Sequence, residues 1–122
     1  RNEPIVVYGD GSQSRCFCDV SDTVRALEAL LVHPDAVGRV FNVGSTEEIS
    51  ILKLAQRVKS RLNSDSPIHF LPYDQAYAPG FEDMQRRMPN TARVHSLTGW
   101  RPRLNLDAIL QRVAAWLRSQ SD

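Results

Sequence analysis

The sequence predicts an α/β domain built from a few short strands and about four helices. Three observations carry that prediction. Short β-branched runs at Ile5–Tyr8, Val40–Val43 and Ile68–Leu71 each close on glycine or proline; amphipathic helical stripes lie between and after them; no internal repeat or low-complexity tract breaks the alternation. With 122 residues, 42% apolar and 24% charged, the chain matches about one ordinary globular domain.

Taken in order, Ile5-Val6-Val7-Tyr8 is a strand entering a tight turn at Gly9-Asp10-Gly11-Ser12, and a second extended piece runs from Arg15 to Val20. Ser21 or Asp22 is placed to cap a helix reaching about His33, with Val24, Leu27, Leu30 and Leu31 as its apolar repeat, and Pro34 stops it. Val40-Phe41-Asn42-Val43 reads as a buried strand between Gly38 and Gly44. Ser50 caps a helix with Ile51, Leu54, Ala55, Val58 and Leu62 on one face, and Lys53, Gln56, Arg57 and Lys59 mostly off it.

Ile68–Leu71 is a short strand ended by Pro72. From Tyr73 to Pro89 no period persists, which predicts a long loop of the kind that is usually functional or disordered. Asn90 caps a short helix ending at Gly99, and Asn105 caps a last one with Leu106, Ile109, Leu110, Val113 and Leu117 on its apolar face. Arg1-Asn2-Glu3-Pro4 runs straight into a strand, so a boundary inside a larger protein is expected.

Charge and composition exclude several classes of function. Fifteen basic and 14 acidic residues leave a net charge of +1, too little to gather nucleic acid or an acidic membrane surface. No apolar run approaches the roughly 20 residues that span a bilayer, and the first residues are unlike a signal peptide, so a cytoplasmic location is expected. Cys16 and Cys18 lie too close in sequence for a relaxed disulfide, and with three scattered histidines they make no zinc set, so reduced thiols and no metal are expected.

Two segments could carry chemistry. The turn Gly9-Asp10-Gly11-Ser12-Gln13-Ser14-Arg15 lets backbone amides approach a ligand and sets one guanidinium beside them, although such a turn is also an ordinary strand connection. It is not a dinucleotide loop, because Ser14 stands where the third glycine would be and no helix opens there. The second segment, Glu82-Asp83-Met84-Gln85-Arg86-Arg87-Met88-Pro89, reads either as a charged loop pairing Glu82 and Asp83 with Arg86 and Arg87, or as an anion site. In an extended segment adjacent side chains diverge, so at most one of the two arginines serves a given site. No tyrosine is followed four residues later by lysine and no serine, histidine and aspartate ordering is persuasive, so no catalytic residue is expected.

In order, the segments Pro4–Arg15, Phe17–Val24, Val40–Gly44, Glu48–Ile51, Arg86–Asn90 and Leu97–Trp100 resemble the C-terminal third of extended short-chain dehydrogenase/reductases, the NAD-dependent sugar-nucleotide epimerases, decarboxylases and dehydratases. UDP-glucose 4-epimerase and UDP-glucuronate decarboxylase are the most similar members. The resemblance implies the small substrate-binding portion of a Rossmann-type enzyme. It implies that Arg15 and Arg87 contact the substrate diphosphate from two sides and that backbone groups of Val6 and Tyr8 hydrogen-bond the uracil edge. It departs from the family pattern at Asp19, where Tyr or His is usual, and at Asn90, where Asp is usual.

The same resemblance implies NAD bound by an N-terminal Rossmann domain outside these residues, and none bound by this chain alone. Epimerase is the first reading; decarboxylase, 4,6-dehydratase and a non-catalytic nucleotide-sugar-binding module are its alternatives. The resemblance implies that the Val40–Val43 strand and the helix before it pack on the Rossmann domain, so exposed partner surface here leads to an expectation of self-association or a homodimer.

Overall fold

The computed structural model describes residues 3–78 and 83–120. In chain order the elements are β1 (Ile5–Tyr8), β2 (Ser14–Cys16), α1 (Val20–Leu31), a 3-10 turn at Pro34–Ala36, β3 (Glu48–Ser50), α2 (Ile51–Arg61), β4 (Ile68–Leu71), α3 (Tyr73–Ala76), α4 (Ala92–Thr98) and α5 (Leu106–Ser119). The α/β class predicted from the sequence is the one observed. The chain divides into two compact units, residues 1–15 with 49–87, and residues 16–48 with 88–122.

In the first unit β1 and β4 pair in parallel, with Val7 opposite Phe70. Parallel pairing needs a crossover, and α2 supplies it, packing on β1. Ser50 caps α2 as its sequence predicts, its hydroxyl accepting from the Lys53 N–H. Val7 at 1% exposure, Ile49 and Ala55 are the buried apolar residues here. β2 and β3 make a separate two-stranded sheet.

The second unit is centred on Ala26 of α1, Val94 of α4 and Trp100, with Cys18, Leu30, Phe41 and Val43 packed against them. α4 ends at Gly99, whose φ of 71° is the left-handed closing conformation that glycine adopts without strain. Asn105 caps α5 by accepting from the Ala108 N–H.

Several expected elements differ. Val40–Val43 is not a strand: a strand needs a ladder partner, and none runs beside it among the described residues. Instead the Asn42 amide donates to the Asn90 carbonyl at 3.4 Å. α1 is capped by Asp19, not by Ser21 or Asp22, because the Asp19 carboxylate accepts from the Ser21 N–H. Its buried positions are Asp22 and Ala26, while Leu27 and Leu31 of the predicted stripe are exposed. The second extended piece shrinks to Ser14–Cys16, and the short strand Glu48–Ser50 carries no apolar period that a sequence reading could detect. α4 is capped at Thr91 in backbone terms, yet the Asn90 side chain accepts from the Ala92 N–H and does the work expected of it.

Candidate functional site

The four residues singled out from the sequence, Val6, Tyr8, Arg15 and Arg87, all lie in the first unit. β1 places two of them. Ile5 and Gly9 donate their N–H groups to Pro67 and Leu71 of the β4 side at 2.9 and 2.8 Å, so the odd residues of β1 face β4. Backbone direction alternates along a strand, and Val6 and Tyr8 therefore turn their N–H and C=O groups to the opposite edge. No strand runs along that edge among the described residues. The Tyr8 carbonyl already accepts from the side-chain amide of Gln13 at 3.0 Å, and Gln13 is itself buried.

The turn after β1 is shaped by glycine. Gly11 has φ +72°, and a Cβ there would sit 2.8 Å from Val7 Cγ1 and 2.9 Å from Leu52 Cβ; at Gly9, φ +66°, it would meet the Tyr73 ring. The turn is thus packed on its own strand and helix. No helix starts at its end, so it lacks the helix N-terminus that holds a dinucleotide pyrophosphate.

Beyond the turn, Ser14 brings the two arginines together. Ser14 donates to the Gln85 carbonyl at 2.8 Å and accepts from the Arg87 N–H at 3.3 Å, a parallel bridge centred on Arg86. Arg87 therefore joins the chain beside Arg15, and its side chain is exposed. The Arg15 guanidinium is held by three acceptors: the carbonyls of Ser14 and Met84, each at 2.7 Å, and Asp83 Oδ1 at 2.6 Å. The Asp83 carboxylate also accepts from the Tyr73 hydroxyl at 3.4 Å. Burial first, and then the Asp83 charge, push the Tyr73 phenol above its ordinary pKa.

Asp83 is the residue that local reasoning misplaced. The charged-loop reading paired it with Arg86 and Arg87, whereas its partner is Arg15, 68 positions away. Glu82, the other acid in that reading, lies outside the described residues, as do positions 79–81 of the expected long loop. Within that loop Tyr73–Ala76 forms one helical turn, and Tyr77 sets its ring against Tyr8 in a T-shaped contact with centroids 5.5 Å apart. No group of three or more His, Cys, Asp or Glu that could hold a metal ion occurs among the described residues. Neither Cys16 nor Cys18 is in a disulfide.

A family model described as GDP-mannose 4,6 dehydratase matches residues 1–113. The chain belongs to that family. Its members are extended short-chain dehydrogenase/reductases. Among curated relatives of this family member, UDP-glucuronic acid decarboxylase 1 of Danio rerio is 38% identical over 112 residues, covering 92% of this chain and 25% of the relative. UDP-N-acetyl-alpha-D-glucosaminuronate decarboxylase of Bacillus cytotoxicus is 32% identical over 97% of this chain and 36% of its own length. The chain thus spans about a quarter to a third of these proteins.

Solved structures agree on the architecture. UDP-glucuronic acid 4-epimerase of Bacillus cereus, in complex with a fluorinated UDP-glucuronic acid and NAD, superposes with TM-score 0.76 at 25% identity, over 88% of this chain and 33% of that one. UDP-glucose 4-epimerase of Thermotoga maritima, with UDP-glucose, gives TM-score 0.86 at 21% identity over 99% of this chain and 37% of that one, a likeness of fold. No described helix is long and apolar enough to cross a membrane.

Proposed function

We propose that this chain is the nucleotide-sugar-binding portion of an NAD-dependent sugar-nucleotide enzyme, with Arg15 and Arg87 as the diphosphate contacts and the open edge of β1 at Val6 and Tyr8 as the place of the uracil. The observation that carries the proposal is the Ser14 bridge, which sets both arginine backbones side by side in one unit although 71 residues separate them in sequence. A diphosphate carries about two charges, and guanidinium groups meet phosphate oxygens with paired N–H donors. An unpaired strand edge offers alternating donors and acceptors to a base edge.

The reading extends to what lies outside these residues. No helix opens after the glycine turn, so NAD and the catalytic tyrosine and lysine are assigned to an N-terminal Rossmann domain of the parent enzyme. The exposed apolar side chains of the second unit, Leu31 at 85% and Val40 at 76% among them, are assigned to the contact with that domain. The parent enzyme is placed in the cytoplasm and as a homodimer. UDP-sugar epimerisation is the first activity assigned; the 38% identity to a UDP-glucuronic acid decarboxylase favours decarboxylation as the second.

The test is calorimetric titration of the full-length protein with UDP, followed by incubation with UDP-glucose and with UDP-glucuronate. Formation of UDP-galactose supports the epimerase, and release of carbon dioxide from UDP-glucuronate supports the decarboxylase. Absence of UDP binding would overturn the proposal.

A further inference from the structure

We infer that Asp83 is an internal anion that occupies the Arg15 site, so that a diphosphate enters by exchanging with this carboxylate. The inference rests on the reading of Arg15 as a diphosphate ligand and adds the device that sets its affinity.

Of the five N–H donors of the Arg15 guanidinium, the two on Nη1 go to the carbonyls of Ser14 and Met84 and one on Nη2 goes to Asp83. The two carbonyls fix the guanidinium plane without neutralising it. Asp83 alone brings a charge, and its side chain is 20% exposed against 18% for Arg15, so the pair is largely shielded from water. A carboxylate oxygen at 2.6 Å has the length and direction of a phosphate oxygen on arginine.

A phosphate oxygen approaching Arg15 meets the Asp83 charge, and two anions on one guanidinium edge repel. Exchange costs little in geometry, because the carbonyls of Ser14 and Met84 keep the guanidinium in place when the carboxylate leaves. Departure of Asp83 also removes one acceptor of the Tyr73 hydroxyl, so occupancy of the site bears on the ring that packs under Gly9 and stacks on Tyr77. Asp83 is thus an affinity-setting residue, and its removal improves the binding of phosphorylated ligands while leaving the unphosphorylated nucleoside unaffected.

The experiment measures UDP and uridine affinities of the full-length protein by calorimetry for wild type, Asp83→Asn, Asp83→Ala, Arg15→Ala and the Arg15→Ala/Asp83→Asn pair. Asn keeps an oxygen acceptor for Arg15 and Tyr73 and removes only the charge. Tighter UDP binding by Asp83→Asn and Asp83→Ala, roughly fivefold, unchanged uridine binding, and loss of the gain in the Arg15→Ala background support the exchange. Unchanged or weaker UDP binding in both Asp83 variants, with Arg15→Ala still impaired, overturns it and leaves the diphosphate reading standing. Unaltered UDP binding in Arg15→Ala overturns that reading itself, and the exchange with it.

Discussion

Arg87 donates its backbone N–H to the carbonyl of Ser14 at 3.3 Å, and the parallel bridge between Ser14 and Arg86 sets Arg87 opposite Arg15. The contact is made by main chain, so it survives any change of the arginine side chains and gives the loop a register that side-chain substitutions alone will not disturb.

Arg15→Ala and Arg87→Ala in the full-length enzyme are each expected to weaken UDP-sugar binding by about 1.5–3 kcal/mol, the range for a hydrogen bond to a charged group. Arg86→Ala should change it much less. A diphosphate held alike in ground and transition states raises KM more than it lowers kcat, and steady-state kinetics checks the split. Equal losses in kcat and kcat/KM would argue against simple diphosphate binding.

Asp22 should govern acid stability of the second unit. It is 2% exposed; its carboxylate accepts from the N–H groups of Arg103 and Leu104 at 3.0 Å each and pairs with Arg25, while its carbonyl accepts from the Trp100 indole at 2.9 Å. Burial opposes the charge, but the hydrogen bonds from Arg25, Leu104 and Arg103 outweigh it and hold the carboxyl below its usual pKa. A depressed folded-state value makes the stabilisation complete above the ordinary carboxylate range and lost as pH falls through the folded-state value. Asp22→Ala should cost roughly 2–4 kcal/mol at neutral pH, since two backbone N–H groups and a guanidinium lose their acceptor. Thermal unfolding against pH should show the variant flat where wild type falls.

Gly11→Ala should lower stability by roughly 2–4 kcal/mol, from the left-handed φ and the contacts with Val7 and Leu52 together. Gly38→Ala is the control: its φ is +69° but nothing lies within 4 Å of the added methyl, so it should show only the backbone part. Equal losses at the two positions in denaturant unfolding would remove the packing argument.

The 122-residue chain purified alone should self-associate, because Val20, Leu27, Leu31, Val37 and Val40 are all exposed in one unit. It should also leave UDP-galactose unchanged. Light scattering across concentrations checks the first point, where a monomer throughout would count against it, and a coupled assay checks the second.

How far the sequence reached depends on the range of the forces involved. Caps and stops are local: Ser50, Asn105 and Gly99 act within a few residues, and each was legible. The β1 and β4 strands were legible from their β-branched and apolar composition. Pairing was not. Which edge of β1 stays open, that Asp83 reaches Arg15, that Asp22 and not Leu27 or Leu31 of α1 turns inward, and that Val40–Val43 has no ladder partner among the described residues are all set by residues tens of positions away. The sequence by itself determined the fold class and the local starts and stops; the tertiary structure decided which distant residues became neighbours, because hydrogen bonds and burial between distant segments exist only once the chain has closed those loops.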